Sequence, residues 1–338
     1  MLTADFDYRL PDRAIAQSPV EPRDEARLLN TTTGRDHVFA ELPDLLEPGD
    51  LLVLNDTKVR AARLHGRKEG TGGRVEVLLL ERHPDDTWEA MVRPARRLRQ
   101  GSRFTAGPIH GELLTAPVEG TARIVLRTDL DIEDAIEMAG EVPLPPYITT
   151  ELADRQRYQT VYASAPGSSA APTAGLHFTD ALLDRVGERG IGIATVELRV
   201  GMGTFRPMTS PRVEQHHMHR EWVSVPSHTA AAVQQTRMEG RRVVAVGTTV
   251  VRALETAARE GEIRHWEGHT DLFITPGFRF AAVDRLITNF HLPRSTLVVM
   301  VAAFMGPGWR DAYQTALRRG YRFLSFGDAM MADRAEAA

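Results

Sequence analysis

The sequence predicts an α/β protein in which one domain is split by a β-rich insertion. Three observations carry this. Gly49 to Asn55 (GDLLVLN) is an apolar run of strand length ending in polar residues. Arg74 to Arg127 is a series of short runs separated by Gly, Pro and Asp, with no helix-length periodic segment among them. After Tyr147, helix and strand patterns alternate to the end. The expected boundaries are 1–57 with 150–338 for the α/β domain and 58–149 for the insertion.

The first fifty residues are short polar pieces before the strand at Leu51, which delivers Asn55, Asp56 and Thr57 at its carboxyl end. In the insertion, 74–82, 87–95, 102–106, 111–117 and 121–127 are expected as antiparallel strands of a small barrel or sandwich, followed by a helix over 129–140. Pro143, Pro145 and Pro146 impose an extended connection back to the first domain. Thr179 caps a helix over 180–188 stopped by Gly190, and 191–200 is a buried strand. Helices are expected over 227–240, 247–259, 295–306 and 311–319, with strands over 242–246, 284–290 and 321–326.

Composition narrows the function. The chain has 338 residues, 42% hydrophobic and 25% charged, and no cysteine. Disulfides, thiol nucleophiles and Cys-type metal sites are therefore excluded, leaving His, carboxylates, hydroxyls, Arg, Lys and backbone groups for any chemistry. The longest apolar segment, Leu297 to Met305, is nine residues and too short for a bilayer. The acidic start MLTADFDYRL resembles neither a signal nor a transit peptide, so a soluble cytoplasmic protein is expected. The net charge of −4 is unevenly spread. Lys58 to Phe104 holds twelve Lys and Arg against six acids, and Arg93, Arg96, Arg97, Arg99 and Arg103 lie together with no acid among them. Such a patch is either a phosphate-backbone footprint or a solvated face.

Thr160 to Thr179 (TVYASAPGSSAAPTAGLHFT) carries no formal charge over twenty residues and ends in Gly175, Leu176, His177 and Phe178. Small residues let backbone approach a bulky ligand, so this is an ordered substrate cradle or else a linker. Gly201, Gly203, Thr204 and Phe205 follow a strand but lack the third glycine and helix of a dinucleotide fingerprint. Gly247, Thr248 and Thr249 form a strand-to-helix turn suited to an anion, with Arg252 and Glu255 on one helix face; the alternative is a Thr cap and a surface ion pair. Glu214, His216, His217, His219 and Glu221 lack the spacing of a known metal site. His291, after a strand, faces either the ligand crevice or a backbone carbonyl.

NDTKV (55–59), PLPPYI (143–148), RYQTVYA (157–163), AAPTAGLHF (170–178), VGMGTFRP (200–207), GTTVVRALE (247–255), TDLFITPG (270–277), LITNFHLPRSTL (286–297) and YRFLSFGDAM (321–330) together resemble the S-adenosylmethionine:tRNA ribosyltransferase-isomerases of queuosine biosynthesis. The resemblance runs nearly end to end, with Phe326 where Tyr is expected. It implies a mixed-sheet α/β domain with an inserted six-stranded antiparallel barrel, and no metal. It also implies a reaction in which S-adenosylmethionine, consumed as co-substrate, donates its ribosyl carbons to 7-aminomethyl-7-deazaguanine at the wobble position of a GUN-anticodon tRNA. Adenine and methionine leave, and epoxyqueuosine results. The carbon beside a sulfonium is acidified, so a base and an acid are required. His177 is expected as base, with Asp56 and His291 as acid or orienting groups. Pro172, Thr173, Gly175, Phe178, Gly203, Thr204, Phe205, Thr248, Thr249, Arg252 and Asn289 are expected at the substrate, and Arg93, Arg96, Arg97 and Arg99 on the tRNA. A monomer is expected. A methyltransferase using the same donor and a non-catalytic RNA-binding protein are the alternatives.

Overall fold

The computed structural model describes residues 1–150, 152, 154–201 and 207–335. The chain divides into two compact units, Met1–Lys58 with Pro145–Ala165 and Ala171–Ala338, and Val59–Leu144 with Pro166–Ala170. Along the chain the strands are β1 (Arg27–Asn30), β2 (Arg35–Val38), β3 (Leu51–Asn55), β4 (Thr57–Val59), β5 (Arg63–Lys68), β6 (Arg74–Arg82), β7 (Thr87–Arg93), β8 (Arg103–Ala106), β9 (Ile109–Leu113) and β10 (Thr121–Arg127). They continue as β11 (Gly140–Glu141), β12 (Ala165–Ser168), β13 (Gly192–Leu198), β14 (Glu221–Val225), β15 (Val243–Val246), β16 (Trp266–Thr270), β17 (Arg285–Asn289) and β18 (Ala329–Asp333). The helices are α1 (Leu42–Leu45), α2 (Ile132–Ala139), α3 (Asp180–Glu188), α4 (Ser227–Met238), α5 (Thr248–Ala257), α6 (Thr296–Met305) and α7 (Trp309–Arg318).

The larger unit is built on a nine-stranded mixed sheet, β16-β14-β13-β3-β15-β17-β18-β1-β2. Its centre, β13-β3-β15-β17, is parallel, and the flanks add antiparallel neighbours. Buried on both faces, the central strands have continuous apolar runs: LLVL in β3 and VVAV in β15 are buried throughout. Asn55 closes β3 by exchanging two side-chain hydrogen bonds of 3.0 Å with the backbone of Leu198 at the end of β13. Phe39, Leu42, Phe178, Leu182 and Val186 pack against Leu52, Leu54, Val244 and Ile287, so α1 and α3 cover one face. Thr179 caps α3 through Leu182 N at 3.1 Å, and Ser295 caps α6 through Val298 N at 3.3 Å. α6 is almost wholly apolar and correspondingly buried. Among the described residues no helix is long and apolar enough to cross a membrane.

In the smaller unit β5-β6-β7-β10-β9-β8 form a continuous antiparallel ladder, and β8 pairs back onto β5. Closure makes it a six-stranded antiparallel barrel, with β11 added beside β5. Gly111 lies against the Phe104 ring, where a Cβ would sit 2.1 Å from Cζ, so only glycine fits.

Sequence patterning misplaces several pieces. Residues 321–326 are not a strand: Leu324 takes a positive φ of 71° and the chain turns through Gly327, so the strand begins at Ala329. The alternation of Tyr321, Phe323 and Ser325 reflects burial in a turn. β5 is missed because RLHGRK is mostly polar, and the hairpin β1–β2 because β2 is exposed. Within the uncharged stretch, Ala165–Ser168 is a strand rather than loop, and Thr173–His177 is a single 3-10 turn.

Candidate active site

A cleft open to solvent lies where β15 and β17 end, lined by Pro172, Thr173, Ala174, Thr248, Thr249, Asn289, His291, Leu324 and Ser325, among others. Carboxyl ends of parallel strands are where open α/β sheets bind ligands. Gly247 makes the turn from β15 into α5, and its φ of 92° suits glycine. Among the described residues no side chain caps α5 and Thr249 Oγ1 is buried without a partner, so the helix start presents donors and a partial positive charge at the cleft.

A second cleft continues from it, sharing Thr248, Thr249 and Leu297 and adding His216, His219, Glu221 and Arg252. Arg252, 4% exposed, pairs through Nη1 with Oε2 of the equally buried Glu221, whose Oε1 accepts from Gly201 N at 2.8 Å. Among the described residues Arg252 Nε and Nη2 are buried with no partner. Leaving two donors of a guanidinium this deep unmet is costly, and an acidic group would meet them. The expected convergence of Arg252 and Glu255 on one ligand does not occur. Glu255 instead accepts from Ala281, Ala282 and Val283 N and holds that loop, and burial raises its pKa. Burial, with His219 and His217 nearby, lowers the pKa of His216. Among the described residues no group of three His, Asp or Glu is placed to hold a metal ion.

His291 lines the first cleft. Its backbone N–H donates to the Tyr313 hydroxyl at 3.2 Å, and its ring nitrogens lie within hydrogen-bond reach of two hydroxyls, Nδ1 at 3.2 Å from Tyr313 Oη and Nε2 at 3.3 Å from Thr288 Oγ1. Burial brings its pKa to about 3, so the ring is neutral at neutral pH. His177, stacked on Phe39 with centroids 4.8 Å apart, stands behind the cleft wall. Asn289 joins it to the cleft: Nδ2 donates to His177 Nε2 at 3.2 Å while Oδ1 accepts from Thr173 Oγ1 at 3.0 Å. Burial first, then the charges of Arg322, Arg157 and Arg23, bring the His177 pKa to about 3.

The structure thus brings together Pro172, Thr173, Thr248, Thr249, Asn289 and His291 at the first cleft, and Arg252 at the second. His177 lines a smaller cavity with Arg23, Arg157 and Arg322. Phe178 lies in the core against Phe39 and Tyr162, fully buried, so its face is used in packing. Gly175 lies beneath Tyr162. Asp56 lines neither cleft; its Oδ2 accepts from Ser164 Oγ at 2.9 Å. Gly203, Thr204 and Phe205 fall outside the described residues. Sequence reasoning missed Ser325 and Tyr147, whose hydroxyls meet at 2.8 Å, and the Glu221–Arg252 pair, whose members are 31 residues apart. In the barrel unit Arg93, Arg96, Arg97 and Arg99 are exposed, and none of the four is ion-paired among the described residues. Arg93 lines a barrel-surface groove with Arg67 and Arg74.

Two clefts with unmet donors at a helix start and a buried guanidinium, beside neutral histidines, mark the ligand-binding side of an α/β enzyme. Comparison with known proteins narrows this. The queuosine biosynthesis protein family matches residues 3–332. Relatives named S-adenosylmethionine:tRNA ribosyltransferase-isomerase are 49% identical in Desulfitobacterium hafniense, covering 98% of this chain and 99% of that one, and 50% identical in Thermosynechococcus vestitus, covering 96% and 94%. The crystal structure of S-adenosylmethionine tRNA ribosyltransferase from Thermotoga maritima is 38% identical, with a TM-score of 0.55 over 97% of this chain and 99% of that one. The chain belongs to the queuosine biosynthesis protein family.

Proposed function

We propose that this protein transfers and isomerises the ribosyl moiety of S-adenosylmethionine onto 7-aminomethyl-7-deazaguanine in tRNA, releasing adenine and methionine and leaving epoxyqueuosine. The observation that carries this reading in the molecule is Arg252. Its unmet Nε and Nη2, beside the uncapped start of α5 and Thr249 Oγ1, suit the carboxylate of the donor's methionine part. The first cleft, sharing Thr248 and Thr249, then takes the reacting ribosyl and base portions. The chemistry asks for a base at the carbon beside the sulfonium and an acid at departing adenine. His177 is assigned the first role; it is neutral at neutral pH, the state a base requires. His291, neutral and at the cleft, is assigned an orienting role, and Asp56, which lines neither cleft, is assigned as acid or orienting group for substrate that reaches it.

The substrate in this reading is a GUN-anticodon tRNA whose wobble nucleotide is splayed from its single-stranded loop, with Arg93, Arg96, Arg97 and Arg99 on flanking phosphates. The protein acts as a cytoplasmic monomer, and no step calls for a metal. Donor labelled separately in ribose and in methyl tests the reading. Ribose label entering tRNA that carries the 7-aminomethyl base is expected. Methyl label alone indicates a methyltransferase, and no transfer indicates an RNA-binding protein.

A further inference from the structure

The cavity behind His177 is distinct from the second cleft and meets the first at Ser325. It is a narrow pocket, open to solvent, lined by Arg23, Arg157, Arg322, His177 and Ser325, the last of which also lines the first cleft. Each guanidinium is pinned. Arg157 gives Nε to Glu21 and Nη2 to Val20 O, and its Nη1 is buried without a partner among the described residues. Arg322 gives Nη1 to Ser18 O at 3.0 Å, has Asp328 3.8 Å from Nε, and its Nη2 is likewise buried without a partner among the described residues. Arg23 spends its donors on the carbonyls of Gln159 and Gln156 and contributes charge. Glu21 and Asp328 take the flanks of two arginines, and Asp154 and Asp180 act on Arg23 at longer range. Two separate arginines are thus left with one free donor each at the same small cavity.

We infer that Arg23, Arg157 and Arg322 dock one backbone phosphodiester of the RNA substrate, next to the nucleotide whose base enters the first cleft; this rests on the reading of the protein as a tRNA-modifying enzyme. A planar carboxylate is met best by one guanidinium offering two parallel donors. Single donors from two arginines, with a third positive charge behind them, suit a tetrahedral oxyanion instead. Ser325, shared by cavity and cleft, sets the phosphate beside the reacting nucleotide. Anionic charge placed there would also offset the three cations that disfavour a proton on His177.

The test is binding of full-length protein to an anticodon stem-loop RNA in which each linkage around the wobble nucleotide is replaced in turn by an uncharged methylphosphonate. In the wild type one linkage is expected to weaken binding about tenfold, the scale of a charged hydrogen bond. In Arg157→Gln and Arg322→Gln that replacement is expected to have less than about a twofold further effect, with the salt slope lower by about 0.7. The wild-type scan needs no variant, so a misfolded variant does not rescue the idea. No sensitive linkage in the wild type overturns it, as does the same loss in wild type and both variants. Saturable binding of inorganic phosphate at the arginines without a linkage effect assigns the cavity to a free anion and also overturns it. A linkage effect without ribose transfer supports the phosphate site while removing the proposed reaction.

Discussion

Asn289 donates its amide to His177 Nε2 across 3.2 Å while accepting from Thr173, and so links a ring behind the cleft wall to a side chain within it. The amide orientation is fixed by its other partners, since Nδ2 also approaches Asp328 O at 3.4 Å. Nε2 of His177 must therefore be an acceptor, and the ring carries its proton on Nδ1. In the proposed reaction this neutral ring is the base, with substrate taking the place of Asn289 at Nε2. His177→Ala is expected to lower turnover of bound substrate by about 10² to 10⁴, the usual worth of a general base. Turnover that is unchanged, at saturating donor and tRNA, ends the assignment.

The two buried histidines also set how stability depends on pH. Each has a folded pKa of about 3 against an unfolded value of 6.5. Above pH 6.5 both states are neutral and the histidines contribute no slope. As pH falls below 6.5 the unfolded chain takes up protons that the folded chain refuses, so stability declines toward pH 3, by about 1.4 kcal/mol per pH unit for each ring. Denaturant titrations between pH 7 and pH 4 are expected to show this fall, and His291→Asn to make it shallower. A variant with the same slope as wild type refutes the burial account of His291.

How much of this was visible in the sequence depended on whether the signal was local. The turn at Gly247, the cap at Thr179 and the strand LLVL were legible because each is set by neighbours within a few residues. Phe178 was not: next to His177 in sequence, it points into the core while the histidine faces the arginine cavity. Glu221 was weighed only as a metal ligand because its partner Arg252 lies 31 residues further on, in α5. Arg23, Arg157 and Arg322 come from three distant segments, and nothing in their local sequence marks them as a cluster.

Gly175→Ala tests the packing beneath the cradle. A Cβ there would lie 2.0 Å from Tyr162 Oη and 2.8 Å from Thr160 Cγ2. Tyr162 is packed edge-on to Phe178, so its ring has little room to retreat. Overpacking of this kind costs about 1 to 3 kcal/mol. A lowered denaturation midpoint is expected, with donor affinity reduced through displacement of the adjoining Thr173. Wild-type stability in the alanine variant refutes the close-packed cradle.

Arg252→Gln is expected to raise the KM for donor about tenfold or more while tRNA affinity stays unchanged, because the acidic group loses two charge-assisted donors. Removing the cation also strands Glu221, so some loss of stability accompanies it. Arg252→Lys separates the two effects: it keeps a charge for Glu221 but not the planar fork, and donor affinity is expected to stay poor while stability recovers. Restored donor affinity in the lysine variant refutes the fork.

The four exposed arginines on the barrel unit carry the last prediction. Arg93, Arg96, Arg97 and Arg99 have no ion-pair partner among the described residues, whereas their neighbour Arg103 bonds Glu112 at 3.2 Å. Free cations on a surface are available to phosphates, and each phosphate that is no longer neutralised lowers the slope of log K against log salt by about 0.7 to 0.9. Neutralising all four to Gln is expected to weaken tRNA binding and flatten its salt dependence, with donor binding and the unfolding midpoint unchanged. Arg103→Gln serves as the control, since that side chain is already engaged. If the fourfold variant keeps the wild-type salt slope, the barrel patch is a solvated face, and the phosphate-binding residues must be sought on the larger unit.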